Sequence, residues 1–124
     1  MEKTAIIVTD GSDSIQKMAA AIAAELKGFK VVSAAAKDFA GTDLLAAGFC
    51  FFGAENPSPP SFSYVNKMLQ HINLAGRHCG IFSNSKGAVD YLRGMVHDSE
   101  MAVYPEPFFG DGDIKEWAKK VIAA

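Results

Sequence analysis

The sequence predicts a three-layer, doubly wound α/β protein in which helices cover both faces of a five-stranded parallel sheet. Short apolar runs rich in β-branched residues alternate with segments whose apolar residues recur every three or four positions. Alternation of this kind is typical of parallel sheets with helical crossover connections. The chain has 124 residues, of which 49% are hydrophobic and 21% are charged, and no repeat or linker divides it. We therefore predict a single domain over residues 1–124.

The first predicted strand covers residues 4–9, where an apolar, β-branched run ends at a turn. From residue 12 to residue 26 the apolar side chains fall on one stripe of a 3.6-residue period, which predicts a helix. Gly28 supplies a stop signal for this helix, and either Ser12 or Ser14 can be its N-cap.

Two further strands are predicted before the middle of the chain. Residues 29–34 are one strand candidate. Residues 44–53 are another and are apolar almost throughout, as expected for a strand buried on both faces. The connection between them is short and poorly patterned. Residues 54–61 contain three prolines and are predicted to be a loop. Its segment 56–60 is either a stiff connection over a cleft or a docking epitope for an SH3-like partner.

The second half of the chain continues the same alternation of strands and helices. The final helix has apolar residues on one side and lysines largely on the other. In order, we predict a helix over 62–72, a strand over 78–83, a loop over 83–87, a helix over 88–96, a fifth strand over 101–109 broken by prolines, and a helix over 114–122.

The charge balance and the cysteine content exclude several classes of protein. The chain carries 12 basic and 14 acidic residues, and the basic ones are scattered. We expect no nucleic acid partner, because binding to a phosphate backbone needs clustered Lys and Arg. The first apolar stretch is too short for a signal peptide or a membrane span, which predicts a cytoplasmic protein without a membrane partner. Cys50 and Cys79 lie in apolar runs and are predicted to be buried thiols.

Five strands allow the order 2-1-3-4-5, in which ligands bind beyond the carboxyl ends of strands 1, 3 and 4. Loops 10–15, 52–61 and 83–87 then converge. The first of these loops carries a glycine and two serines just before a helix N-terminus, which is typical of an anion site. Asp10 and Asp13 bring negative charge to the same turn, so a phosphate is expected there only if the Asp13 carboxylate faces solvent.

Around these loops the chain resembles the flavodoxin family, over nearly its whole length. "DGSDSIQKMA" resembles the family's phosphate loop and the start of its first helix. "DLLAAGFCFFGAENPSPPSF" resembles the third strand and the loop that places an aromatic ring on one face of the flavin. "HCGIFSNSKG" resembles the fourth strand and the loop at the flavin edge, and "IKEWAKKV" resembles the closing helix.

The resemblance implies flavin mononucleotide as cofactor, electron transfer with a redox partner protein as function, and a role closer to a carrier than to a catalyst. It also implies that backbone N–H groups of residues 11–15 and the Ser12 and Ser14 hydroxyls hold the phosphate. Phe51 or Phe52 would stack on the flavin, although strand-end aromatics, Phe62 included, are also typical of a core. The implied cofactor-binding residues are Asp10, Gly11, Ser12, Asp13, Ser14, Ile15, Phe51, Phe52, Gly53, Ser83, Asn84 and Ser85.

Three features depart from the family pattern and keep other hypotheses open. Asp13 stands where the family usually has a glycine, and Ile15 stands where it has its last hydroxyl. The loop over 83–87 has no tyrosine to stack on the flavin, and the charge is nearly balanced instead of strongly acidic. One alternative is a flavodoxin-fold protein that has lost flavin binding and acts as an interaction or regulatory module. Another is a flavin-dependent reductase of a substrate such as a quinone.

Metal and nucleophile sites have weaker sequence support. Asp10 with Asp13 could hold Mg²⁺ as in response-regulator receiver domains, but no aspartate ends the third strand and no Lys-Pro follows the fifth. The serines near the loops have no histidine placed to act as a base, so capping and turn roles are expected for them. The three histidines are predicted not to converge as metal ligands: His71, His78 and His97.

Overall fold

Five parallel strands form the centre of the computed structural model, which describes residues 3–37, 41–55, 62–70, 73–110 and 112–123. Within these residues the strand order across the sheet is 2-1-3-4-5, as predicted. The strands are β1 (Lys3–Thr9), β2 (Phe29–Ala35), β3 (Phe49–Gly53), β4 (His78–Phe82) and β5 (Ala102–Val103).

Helices cover both faces of this sheet, and the sheet separates two buried cores. One core contains side chains from the first and last helices, and the other contains side chains from the three helices between them. Both cores receive alternate residues of the same strands, because successive side chains of a strand point to opposite faces. The helices are α1 (Asp13–Glu25), α2 (Gly41–Ala46), α3 (Ser63–Leu69), α4 (Lys86–Val96, followed by a 3₁₀ turn over His97–Ser99) and α5 (Ile114–Ala123).

The third strand is shorter than the prediction of residues 44–53. It begins at Phe49, and Leu44–Ala46 belong to α2, whose Leu44 is 0% exposed. An unbroken apolar run has no periodicity that separates a short buried helix from a buried strand. Gly48 ends the connection between the two elements, and its N–H donates to the carbonyl of Thr4 at 3.0 Å. The prediction was therefore wrong for the first residues of this run.

The fifth strand is broken by prolines, as predicted. Ala102–Val103 pair with the start of β4, the chain then leaves the sheet, and Phe108 returns to form an isolated bridge with Phe82. A side chain of α5 anchors the segment between β5 and Phe108: the indole Nε1 of Trp117 donates to the carbonyl of Glu106 at 2.7 Å. This return places the segment after Phe108 at the carboxyl edge of the sheet.

Cys50 and Cys79 are neighbours on β3 and β4, and both are buried free thiols, as predicted. Burial raises the pKa of Cys50 to about 12, and Arg77 lowers it to a smaller extent. Burial also raises the pKa of Cys79, and the neighbouring Cys50 adds to the effect. The thiolate is the reactive form of cysteine, so both side chains act as apolar core residues.

Parts of the prediction fall outside the described residues. The loop predicted over 54–61 is described only at residues 54 and 55, and its proline-rich segment 56–60 lies outside the described residues. The end of the helix predicted over 62–72, including His71, also lies outside. No helix in the described part of the chain is long and apolar enough to cross a membrane.

Candidate functional site

Side chains from three loops meet at the carboxyl edge of the sheet. The Ser14 hydroxyl, in the first turn of α1, donates to Oε1 of Glu55 at 3.3 Å. Nδ2 of Asn84, after β4, donates to Oγ of Ser14 at 3.1 Å and to Oε1 of Glu55 at 3.5 Å. We call Ser14, Glu55 and Asn84 the three-loop network. One member comes from each of the three loops, which confirms that the loops converge as predicted. Ser14 and Asn84 are 70 positions apart in the sequence.

The turn that precedes α1 leaves the helix N-terminus open. Gly11 has a φ of 85°, a left-handed conformation that glycine adopts without strain. Ser12 occupies the N-cap position, but its side chain makes no capping hydrogen bond and instead donates to Oδ1 of Asp10 at 2.7 Å. The backbone N–H groups of the first helical residues have no intrahelical acceptors. The backbone N–H groups of Asp13, Ser14 and Ile15 can therefore donate hydrogen bonds to an anion.

The carboxylate of Asp10 ties two of the loops together. Its Oδ1 accepts from the backbone N–H of Ser12 at 3.1 Å as well as from the Ser12 hydroxyl. Its Oδ2 accepts from the backbone N–H of Glu55 at 2.8 Å. This carboxylate is thus the internal anion of the β1–α1 turn. Two of the donors predicted for a phosphate, the N–H and the hydroxyl of Ser12, are already engaged by it.

Asp13 and Ile15 point in opposite directions from the first turn of α1. Asp13 is exposed, in the arrangement that a phosphate at this helix terminus requires. A carboxylate here also interacts favourably with the helix dipole, by about 0.3–1 kcal/mol. Ile15 is 0% exposed and packs in the core between α1 and α5. Its contribution to a ligand site is limited to the backbone N–H.

Solved structures share this architecture at low sequence identity. A short-chain flavodoxin associated with a PDU bacterial microcompartment has a TM-score of 0.83 and 13% identity, and the match covers 99% of this chain and 98% of that one. The fold is flavodoxin-like. Flavodoxin 2 from Bacillus cereus has a TM-score of 0.76 and 17% identity, over 98% of this chain and 96% of that one.

A Fusobacterium nucleatum flavodoxin variant bound to flavin mononucleotide is a more distant structural match. Its TM-score is 0.68 and its identity is 13%, over 88% of this chain and 74% of that one. No protein-family profile matches the sequence, and no curated protein does. The comparisons therefore establish the flavodoxin-like fold.

Phe51 and Phe52, predicted as flavin-stacking candidates, lie in the cores of this flavodoxin-like fold. Both are 0% exposed. Phe51 packs edge-on against Trp117 with 5.9 Å between ring centroids, and Phe52 lies on the other side of the sheet. Phe62 is also 0% exposed. All three aromatic side chains are therefore core residues, the alternative that the sequence left open, and none of their rings is exposed at the carboxyl edge. The reason is that adjacent strand residues face opposite layers, and here both layers are filled.

The loop after β4 contains one serine that links it to the loop after β3 and another that caps α4. Ser83 is 0% exposed, its hydroxyl donates to the carbonyl of Ala54, and its Oγ accepts from the N–H of Ser85 at 2.9 Å. Oγ of Ser85 accepts from the N–H of Ala88 in the first turn of α4. Of the predicted residues in this loop, Asn84 is the one whose side chain belongs to the three-loop network.

Replacing Ser83 with alanine should destabilise the protein by about 1–3 kcal/mol, because the buried carbonyl of Ala54 and the partly buried N–H of Ser85 each lose a hydrogen-bond partner. Chemical denaturation measures the change in the free energy of unfolding. Ser33→Ala provides the control, since Ser33 is an exposed strand residue whose replacement should change stability by less than about 0.5 kcal/mol. Equal stability of the two variants would contradict the structural role of Ser83.

Glu55 was absent from the residues predicted for the site. It follows Ala54, just beyond β3, and its carboxylate accepts hydrogen bonds from the two other members of the three-loop network. The available signal was its position, because a charged residue directly after a strand at a switch point lies at the ligand edge. The prolines that follow Glu55 in the sequence form no periodic pattern that would predict the direction of its side chain.

The histidines and carboxylates of the described residues form no metal-binding group of three. The His78 ring stacks on Phe49 with 5.2 Å between centroids, and His97 lies at the end of α4. Asp10 and Asp13, the pair considered for Mg²⁺, have different environments: Asp10 accepts three hydrogen bonds from the protein, and Asp13 is exposed.

Proposed function

We propose that this protein binds flavin mononucleotide at the carboxyl edge of its sheet and carries electrons to or from a redox partner protein. The observation that carries the proposal is the N-terminus of α1, where the N-cap residue Ser12 makes no side-chain capping hydrogen bond and polar side chains from two other loops are adjacent. An open helix N-terminus is an anion site in its own right. The flavodoxin-like fold and the flavin-bound structural match support flavin mononucleotide as the ligand.

The residues present fit a phosphate at this position. The donors would be the backbone N–H groups of Asp13, Ser14 and Ile15, the Ser14 hydroxyl and the Asn84 amide. The Ser14 hydroxyl can rotate from Glu55 to a phosphate oxygen, because a hydroxyl donates one hydrogen bond in any staggered direction. Asp10 would hold the turn in shape, since its carboxylate organises both Ser12 donors and the start of the β3–α3 loop.

Flavin mononucleotide, when bound, supplies the one-electron chemistry, and the protein supplies its position and electrostatic environment. Ser83 would maintain the distance between the loops after β3 and β4, because its buried hydroxyl joins them. Glu55 would have to give up its contact with Ser14. The polar residues of the edge would therefore bind and orient the cofactor, and the proposal assigns none of them a covalent step.

Titration with flavin mononucleotide tests the proposal. We expect micromolar protein to quench the fluorescence of added flavin and to show a visible absorption spectrum after gel filtration. A ligand that binds only the native state stabilises it by about 2.7 kcal/mol at a concentration of 100 Kd, so the melting temperature should rise by several degrees. Riboflavin, which has no phosphate, should bind more weakly. No quenching and no change in melting temperature would contradict the proposal.

The second candidate function is an interaction or regulatory module that has lost flavin binding. The observation that favours it is the Glu55 carboxylate, which occupies a hydrogen-bonding position on Ser14 that a phosphate would need. This candidate predicts a colourless, folded protein whose melting temperature does not change with added flavin. The same titration therefore separates the two functions.

A further inference from the structure

We infer that Phe109, in the segment after β5, provides the aromatic contact for the ring system of the bound flavin. The inference rests on the proposed function and names a residue that the family resemblance did not supply. A flat aromatic ligand needs an apolar face in its site, and offset stacking on an aromatic side chain is a favourable way to provide one.

Burial removes most candidates for this contact. Phe51, Phe52, Phe62 and Phe82 are all 0% exposed, so none can meet a ligand without dismantling a core. Among the described residues the exposed large apolar side chains are Leu45 at 42%, Tyr64 at 44% and Phe109 at 41%.

The position of each exposed side chain along the sheet narrows the choice. Leu45 lies at the amino edge, because its carbonyl accepts a hydrogen bond from Arg77, the residue before β4. Tyr64 lies in the first turn of α3. Phe109 directly precedes Gly110, which packs against Asn84 of the three-loop network.

The backbone on both sides of Phe109 is fixed against the loop that carries Asn84. The carbonyl of Phe108 accepts from the N–H of Ser83 at 2.8 Å. A Cβ added at Gly110 would lie 3.2 Å from Cβ of Asn84 and 3.7 Å from Cε of Met18, so this glycine packs between the loop and α1. Phe109 is therefore held between two anchored neighbours and next to the network that would receive the phosphate end of the ligand.

The alternation of side chains along this segment determines which side the Phe109 ring faces. Phe108 is 7% exposed and packs against Trp117 with 5.8 Å between ring centroids. Successive residues of an extended segment point to opposite sides, so the Phe109 ring turns away from that core. A ring on an anchored backbone has little freedom to lose when a ligand stacks on it, which favours binding.

The test compares flavin affinities of variants by fluorescence quenching. Phe109→Ser should weaken the binding of flavin mononucleotide and of riboflavin by the same factor, about tenfold or more, as for loss of a stacked aromatic partner. Ser14→Ala, at the proposed phosphate contact, should weaken flavin mononucleotide more than riboflavin. Phe109→Tyr should retain wild-type affinity. Leu45→Ser is the matched control, because it removes an equally exposed apolar side chain at the opposite edge and should leave both affinities unchanged.

The outcomes separate this inference from the proposed function. If the wild-type protein binds flavin and Phe109→Ser binds it within twofold of wild type, the inference is overturned and the proposed function stands. A large loss in Tyr64→Ser with none in Phe109→Ser would overturn it as well and would assign the contact to α3. Absence of flavin binding by the wild-type protein would overturn both. Unchanged melting temperature of the ligand-free Phe109→Ser variant verifies that the loss is not one of folding.

Discussion

Replacing Gly53 with alanine is expected to lower the free energy of unfolding by about 3 kcal/mol or more, at the upper end of the usual effect of overpacking a core. An alanine Cβ here would lie 2.3 Å from Cε2 and 2.4 Å from Cζ of Phe82. That ring is 0% exposed and packs against Trp117 with 6.4 Å between centroids, so it has no open space to enter. A shift of the strand end would also disturb the turn before α1, because the N–H of Asp10 donates to the carbonyl of Gly53 at 3.2 Å.

The same substitution elsewhere in the chain supplies the control. Gly94 is exposed within α4, and an added Cβ there has no atom within 4 Å among the described residues. Gly94→Ala should therefore stabilise the protein by about 0.5–1 kcal/mol through helix propensity. Urea denaturation of both variants gives the two free energies. Adding Phe82→Leu to Gly53→Ala should restore part of the loss, and equal stability of the two alanine variants would show that the strand end moves freely.

Replacing Glu55 with glutamine is expected to tighten the binding of flavin mononucleotide by about tenfold, which corresponds to 1.4 kcal/mol of repulsion relieved. A carboxylate about 4 Å from a phosphate opposes it by about 4 kcal/mol per unit pair at an effective dielectric near 20, and solvent reduces that value at an exposed edge. Glu55 accepts a hydrogen bond from the Ser14 hydroxyl, so its charge lies at the proposed phosphate position. Glutamine keeps a hydrogen-bond acceptor and removes the charge.

Asp13 should matter less than Glu55, although it is the charge that stands out in the sequence. It is exposed and free to turn toward solvent, so Asp13→Gly should tighten binding by a smaller factor and should also lower the stability of the ligand-free protein. Glu25→Gln is the control, because Glu25 ends α1 about 18 Å from the first turn. The gain in Glu55→Gln should shrink at high salt and be absent with riboflavin. Equal affinity of Glu55→Gln and wild type would show that the carboxylate moves away at no cost.

The architecture of this protein could be predicted from the sequence because it depends on local chemistry and on alternation. β-branched apolar runs, amphipathic periods and the glycine at residue 28 mark the strands and most helices. The broken fifth strand followed from its prolines, which cannot donate to a ladder. The glycine at residue 11 marked the turn before α1, and its φ of 85° shows the physical reason. The convergence of three loops then follows from the topology of parallel sheets.

The candidate site depended on contacts that no local pattern contains. Glu55 meets Ser14 across 41 positions, and its backbone N–H meets Asp10 across 45. An apolar run at the end of a strand predicts that its aromatic side chains are shielded from water. It does not show whether a core or a bound ligand shields them. Phe51 and Phe52 pack in the two cores because helices cover both faces of the sheet at these positions.

By itself the sequence determined the order of strands and helices, the parallel sheet and the turn that opens the first helix, since each depends on residues close in the chain or on the face that apolar residues share. Only the tertiary structure decided which polar groups meet at the carboxyl edge and which aromatic ring stays exposed there. Phe109 illustrates the difference: its neighbour Phe108 completes a core with Trp117, and the alternation of an extended chain then leaves Phe109 outside. Such outcomes depend on how segments far apart in the chain pack against one another, and local sequence patterns do not predict that packing.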